Sequence, residues 1–137
     1  MNHQGTKAQR EPIPENVNRI AKLIVDAAFA VHSKLGPGLL EGVYEVCLAY
    51  DIERRGESLE RQIVVPVNYD GVRLDAGLRL DLLVGHCVIV ELKAVEALLP
   101  VHEAQLLTYL KLTGHRLGLL INFNVPLTKN GIRRIVL

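Results

Sequence analysis

The sequence predicts one α/β domain built on a mixed central β-sheet flanked by helices. The chain has 137 residues, 49% of them hydrophobic, which is enough for one core burying about two-thirds of the unfolded surface and leaves no room for a second domain. Helical and alternating apolar patterns then succeed one another as helix, helix, three or four strands, helix, strand, strand. Turn-forming glycine pairs punctuate them, with no internal repeat and no low-complexity segment.

Residues 1–14 are polar, contain Pro12 and Pro14 and show no periodicity, which predicts a flexible N-terminal tail ahead of a single domain over 15–137. Val17, Ile20, Ala21, Ile24, Ala28, Val31 and Leu35 recur at helical spacing, and Gly36-Pro37-Gly38 ends that helix. Leu40, Val43, Cys47 and Leu48 give a second helix its apolar stripe, with Gly56 near its end. Ile63, Val65, Val67 and Tyr69 alternate with Gln62, Val64, Pro66 and Asn68, and Asp70-Gly71 is a hairpin signal leading into a strand at 72–74. Strands follow at 78–84 and 88–94, separated by Gly85-His86-Cys87. Pro100 opens a helix that runs to about Thr113, where Gly114 stops it. Leu117, Leu119, Leu120 and Ile121 make 116–123 a buried strand, and Asn130-Gly131 turns into a closing strand at 132–137.

Composition removes several classes of function. Sixteen Lys and Arg face fifteen Asp and Glu, so no global field draws the chain to DNA or to an acidic membrane, and nucleic-acid binding requires a local patch. Cys47 and Cys87 are far apart in apolar stretches, which suits reduced, buried thiols in the cytoplasm and lacks the spacing of a zinc or thiol enzyme. The first residues have no apolar segment and no stretch approaches the ~18 apolar residues of a membrane span, so neither secretion nor embedding is expected. Four Tyr, two Phe and no Trp argue against a stacking platform for single strands.

The chemistry concentrates in Val88-Ile89-Val90-Glu91-Leu92-Lys93. Strand alternation projects Glu91 and Lys93 together while Val90 and Leu92 face the other, packed side. Charge beside a core is costly unless it is satisfied, as a divalent cation with a phosphate would do. An edge ion pair is the plainer alternative, because Glu-x-Lys triplets are common. Asp81 lies ten residues before Glu91, and a three-residue loop at Gly85-His86-Cys87 pairs Val84 with Val88 and Asp81 with Glu91. Opposed Cβ atoms lie roughly 4.5–5.5 Å apart, so one ion can bridge the two carboxylates. Without a cation they repel, unless Arg79 or Lys93 neutralises them. On the following helix His102, Gln105 and Tyr109 share one polar stripe, where Gln105 and Tyr109 can hold a phosphate or a water and His102 and Glu103 read as solvated first-turn residues. Such a stripe is, taken alone, more often an exposed helix face.

Gly38-Leu39-Leu40-Glu41-Gly42-Val43-Tyr44, together with Asp81, Glu91-Leu92-Lys93 and Gln105-Leu106-Leu107-Thr108-Tyr109, resembles the GxxExxY family of the PD-(D/E)XK nuclease superfamily. His102-Glu103-Ala104-Gln105-Leu106 and Leu120-Ile121-Asn122-Phe123 extend the resemblance over nearly the whole chain, from about Val17 to Leu137. It implies a restriction-endonuclease-like core, with Glu41 reaching the site from the second helix and Asp81 and Glu91 as metal ligands. It also sets Lys93 beside the attacking water and gives Gln105 and Tyr109 the Gln-x-x-x-Tyr pattern of exonuclease-like branches. Leu80 stands where the superfamily's name has Pro.

The expected activity is hydrolysis of a nucleic-acid phosphodiester with Mg²⁺ or Mn²⁺ on Asp81, Glu91 and Glu41. Arg54, Arg55, Arg61, Arg79, Lys111 and Arg116 are the candidate backbone contacts, although any one of them, taken singly, is more often solvated surface. The rival from another class is a catalytically idle nuclease fold used as a module for binding nucleic acid or protein. DNA against RNA, endo- against exonuclease action and homo-oligomerisation stay open.

Overall fold

The computed structural model describes residues 11–137. Helix α1 (Glu15–Leu35) begins directly after Pro14 and buries Ile20, Ala21, Ile24, Ala27, Ala28 and Val31. Gly36 closes it at φ 67°, with its N–H donating to the His32 carbonyl, a left-handed position that costs a glycine least. Residues 1–10 of the expected tail lie outside the described residues. Of the remaining four, Ile13 packs against the core, and the Arg116 guanidinium donates to the Glu11 and Pro12 carbonyls at 2.7 and 3.1 Å.

Helix α2 (Glu41–Arg54) buries Leu48 and packs Cys47 on the core as expected, but its inner face is rotated away from Leu40 and Val43. Tyr44, Leu48, Ala49 and Ile52 are inside, whereas Leu40 is 80% and Val43 41% exposed and Cys47 is half-buried. The reason is Tyr44. Its ring stacks on Phe123 with centroids 4.6 Å apart, and its hydroxyl donates to the Gly36 carbonyl at 2.6 Å while accepting the Leu39 N–H at 3.1 Å. A large ring with both polar needs met gains more from burial than a valine does, so the helix turns Tyr44 inward and Val43 out.

The sheet has five strands in the order β1 (Leu59–Tyr69), β2 (Val72–Val84), β3 (Val88–Lys93), β4 (Leu117–Asn122) and β5 (Ile132–Val136). Only β3 and β4 are parallel, joined by the crossover helix α3 (Pro100–Thr113), so the sheet is mixed as the sequence predicts. The stretches 72–74 and 78–84 form one strand rather than two. The register moves from Val65↔Leu78 to Val67↔Leu74, and Gly77, at φ 81°, gives its N–H to Asp75 Oδ1, absorbing the extra residues within the ladder. Ahead of β5, the expected Asn-Gly turn is a 3₁₀ turn, Thr128–Gly131.

Helices cover both sheet faces. Helices α1 and α2 pack on Leu82, Val84, Val88, Val90, Leu92, Leu117, Leu119 and Ile121, and α3 packs through Leu106, Tyr109 and Leu110 on Ile89, Leu120, Val65 and Leu80. Gly118 lets α3 come this close, since a Cβ there would stand 2.8 Å from the Leu106 side chain.

Candidate active site

The hairpin of β2 and β3 closes around Gly85-His86-Cys87 with Val84↔Val88, Leu83↔Ile89 and Leu82↔Val90 in register. At the next pair the main-chain ladder stops and side chains take over. The Asp81 N–H donates to Glu91 Oε2 at 2.8 Å, and the Leu92 N–H donates to Asp81 Oδ2 at 2.8 Å. Each carboxylate thus accepts from the opposite strand, in place of a carbonyl.

The other side of β2 breaks at the same level. Arg61 pairs with Leu82 and Ile63 with Leu80, but Gln62 is skipped and sits at φ 52°, a costly conformation for a residue with a Cβ. The packing face changes there too: Leu82 and Val84 join the α1/α2 side, Leu80 and Leu78 the α3 side. Asp81 lies at this seam.

Helix α2 supplies two acids one turn apart. Glu41, in the first turn, is exposed but close enough for its charge to act on Glu91 and to feel Asp81. Glu45 is buried and accepts from Arg61 Nη2 at 3.0 Å and from Gln62 Nε2 at 2.8 Å. The same Gln62 amide reaches Asp81 Oδ1 at 3.5 Å, so Gln62 links the helix to the strand. The sequence reading missed Glu45 and Gln62. Glu45 was detectable, four residues after Glu41 on the same helix face; nothing in the local sequence marks Gln62 for a left-handed backbone.

Electrostatics sets these acids apart from ordinary surface carboxylates. Burial, then the Asp81 charge, pushes Glu91 up to about 8. Burial also raises Asp81, reinforced by Glu45 and opposed by the Leu92 N–H, and burial followed by the Asp81 charge raises Glu41. Tyr109 is pushed up by burial and by the charges of Glu91 and Asp81, which brings its phenol into their field, while the Gln105 amide donates to its oxygen at 3.4 Å. Lys93 favours the charged forms of Glu41, Asp81 and Glu91. Among the described residues neither Lys93 nor Arg79 closes an ion pair with them, so Lys93 offsets their charge from a distance, and burial and mutual repulsion still raise all three acids.

Other expected contacts have structural partners. His102 Nδ1 accepts the Leu99 N–H at 3.0 Å, so this half-exposed first-turn residue caps α3. Arg54 and Arg55 bind Asp51, Arg61 binds Glu45, and Arg116 holds main-chain carbonyls. Of the six nominated cations, Arg79 and Lys111 are exposed and have no such partner among the described residues. Both cysteines are free and half-buried. A cavity of about 610 Å³ beside the end of α1, lined by Phe29, His32 and Lys129 among others, includes none of the acids.

Among the described residues no three His, Cys, Asp or Glu side chains form a ready-made metal cage. The donor set still fits a hard cation. Mg²⁺ needs only one or two carboxylates beside water and substrate oxygens, and three neighbouring acids whose charged forms are disfavoured lack the positive charge it would bring. Among the described residues no helix is long and apolar enough to cross a membrane.

No curated protein and no solved structure matches the chain. A family model described as the PD-(D/E)XK nuclease superfamily matches residues 18–135, from within α1 to β5. The mixed five-stranded sheet between helices is consistent with a restriction-endonuclease-like core. Matched over most of its length, with an Asp and a Glu-x-Lys on adjacent strands, the chain belongs to the PD-(D/E)XK nuclease superfamily.

Proposed function

We propose that the chain is a member of the GxxExxY family that hydrolyses phosphodiester bonds of nucleic acid with Mg²⁺ or Mn²⁺. The observation that carries this reading is the crossed pair Asp81 and Glu91, two carboxylates whose charged forms are disfavoured in the bare protein. Asp81 and Glu91, with Glu41 beside them, would hold the ion, whose charge would polarise the phosphate and lower the pKa of water. Lys93 orients the attacking water and offsets charge that builds on the phosphate oxygens. Gln105 and Tyr109 contact the phosphate from α3, Gln62 keeps Asp81 aimed, and Arg79 and Lys111 supply local backbone contacts that a near-neutral chain must concentrate. The unpaired Cys47 and Cys87 support a reducing, cytoplasmic setting.

The test incubates the protein with labelled single- and double-stranded DNA and RNA, with and without Mg²⁺ or Mn²⁺, and follows melting temperature under the same conditions. Metal-dependent cleavage of one substrate, together with a metal-dependent rise in Tm, is expected. A chain that shows neither, yet retains nucleic acid or protein, is the idle binding module instead.

A further inference from the structure

Strand β2 is paired with β1 along nearly its whole length but with β3 only across Leu82–Val84. From Val72 to about Leu80 its other edge has no strand partner among the described residues. The hairpin tip is therefore a two-stranded ribbon, an arrangement of marginal stability in water and a template for another strand. The ribbon is also apolar on one side. The face that packs on α3 through Ile63, Val65, Leu78 and Leu80 continues as the cross-strand pairs Val67↔Leu74 and Tyr69↔Val72, where Tyr69 is 70%, Val72 54% and Leu74 44% exposed.

Charge identifies the occupant. The tip carries Asp70, Arg73 and Asp75, without the positive excess that a phosphate backbone demands. Arg73 and Asp75 flank Leu74 symmetrically. Antiparallel pairing of two β2 edges about a two-fold axis at Leu74 sets Arg73 of each copy opposite Asp75 of the other, Leu74 opposite its own copy and Val72 opposite Ala76. Asp75 Oδ1 is engaged by the Gly77 N–H, which leaves its second oxygen for the arginine. We propose that the chain associates as a two-fold dimer through this edge, the two sheets joining into one across β2. The association is independent of nuclease activity and is measured without metal or nucleic acid.

Sedimentation of the wild type over a concentration series should show a reversible dimer, with slowed amide exchange at 72–76 as the dimer fills. Arg73→Asp and Asp75→Arg each place like charges opposite one another at two symmetry-related pairs, so each alone should weaken the dimer about tenfold or more. Mixed together, these two variants restore both opposite-charge pairs and should form a heterodimer, and the double variant R73D/D75R should dimerise like the wild type. Circular dichroism checks that these exposed changes leave the fold intact; should variants carrying D75R misfold through loss of the Gly77 contact, R73D is judged against Arg73→Lys, which keeps the charge and should dimerise like the wild type. A wild type that stays monomeric, a dimer indifferent to R73D, or failure of a folded double variant to regain association would each overturn the proposal.

Discussion

Asp51 on α2 and Glu91 on β3 are each only 6% exposed, yet the protein treats them in opposite ways. Asp51 meets two guanidinium groups, Arg55 at 2.7 Å and Arg54 at 3.1 Å. Burial pushes its carboxyl up, but the hydrogen bonds and charges of Arg55 and Arg54 outweigh it and hold the group below its ordinary value. Glu91 meets a single N–H and a second acid, and rises to about 8. A buried acid with its own cation completes the scaffold. One placed beside another acid, with Lys93 held short of contact, leaves positive charge to be supplied from outside, which sets the candidate site physically apart from the scaffold.

Removing the charges should separate the two roles most sharply. Asp81→Asn should lower metal-dependent cleavage at least about 100-fold and abolish the metal-dependent rise in Tm, while the metal-free fold survives with equal or slightly higher stability. Asp51→Asn should do the reverse, leaving cleavage intact and costing about 1–2 kcal/mol by denaturant titration, less than the ~3–5 of a fully buried pair because Arg54 and Arg55 are 56% and 34% exposed. If Asp51→Asn lost activity and Asp81→Asn lost only stability, the distinction would be wrong.

The pH dependence of the metal-free protein has a definite sign. Glu91 binds its proton more tightly folded than unfolded, so its contribution is full below pH 4.5 and is lost as pH rises through about 8, a change of at most about 5 kcal/mol. Asp51, with a lowered folded value, contributes above its ordinary 3.8 and loses that contribution as pH falls. Denaturation midpoints between pH 5 and 8 should therefore fall with rising pH in the wild type, flatten in Glu91→Gln, and flatten in the wild type when Mg²⁺ is added. A profile unaffected by Glu91→Gln would remove this group as its cause.

A smaller effect is expected at the link between α2 and Asp81. Gln62→Ala breaks the bridge to Glu45 and Asp81, and Mg²⁺ affinity read from the Tm shift should fall about 10-fold with little change in metal-free stability. Unchanged affinity would make Gln62 a part of the scaffold alone. The least effect belongs to Arg79→Ala, which should weaken nucleic-acid binding evenly across sequences and reduce the salt slope by about 1; an unchanged slope would exclude the phosphate contact.

Much of the fold was legible because local signals and tertiary needs agree. Pro100 and Gly114 bound α3 at the positions where they act, and the Gly85-His86-Cys87 loop fixes the register of β2 on β3. The apolar stripe of α2 was partly misplaced because Tyr44 reads as amphipathic in sequence and becomes buried only through a carbonyl eight residues earlier and a ring 79 residues later. Residues 72–84 were divided in two because an irregularity held by Asp75 and Gly77 resembles a turn. At the site, spacing brought Asp81, Glu91 and Lys93 forward, whereas Glu45 and Gln62 depend on how a helix docks beside a seam, which no local pattern records.

The exchange of N–H groups between Asp81 and Glu91 also bears on how such a domain ages in evolution. The two acids occupy the place of one missing rung, and the strands on either side are already aligned by Leu82↔Val90 and Val84↔Val88. A descendant that replaced both acids with β-branched apolar residues would need only to continue the ladder to satisfy the released amides. The acid pair would vanish while the architecture held, so a fold of this kind can lose its candidate site and still leave a well-folded heir free to take up other work.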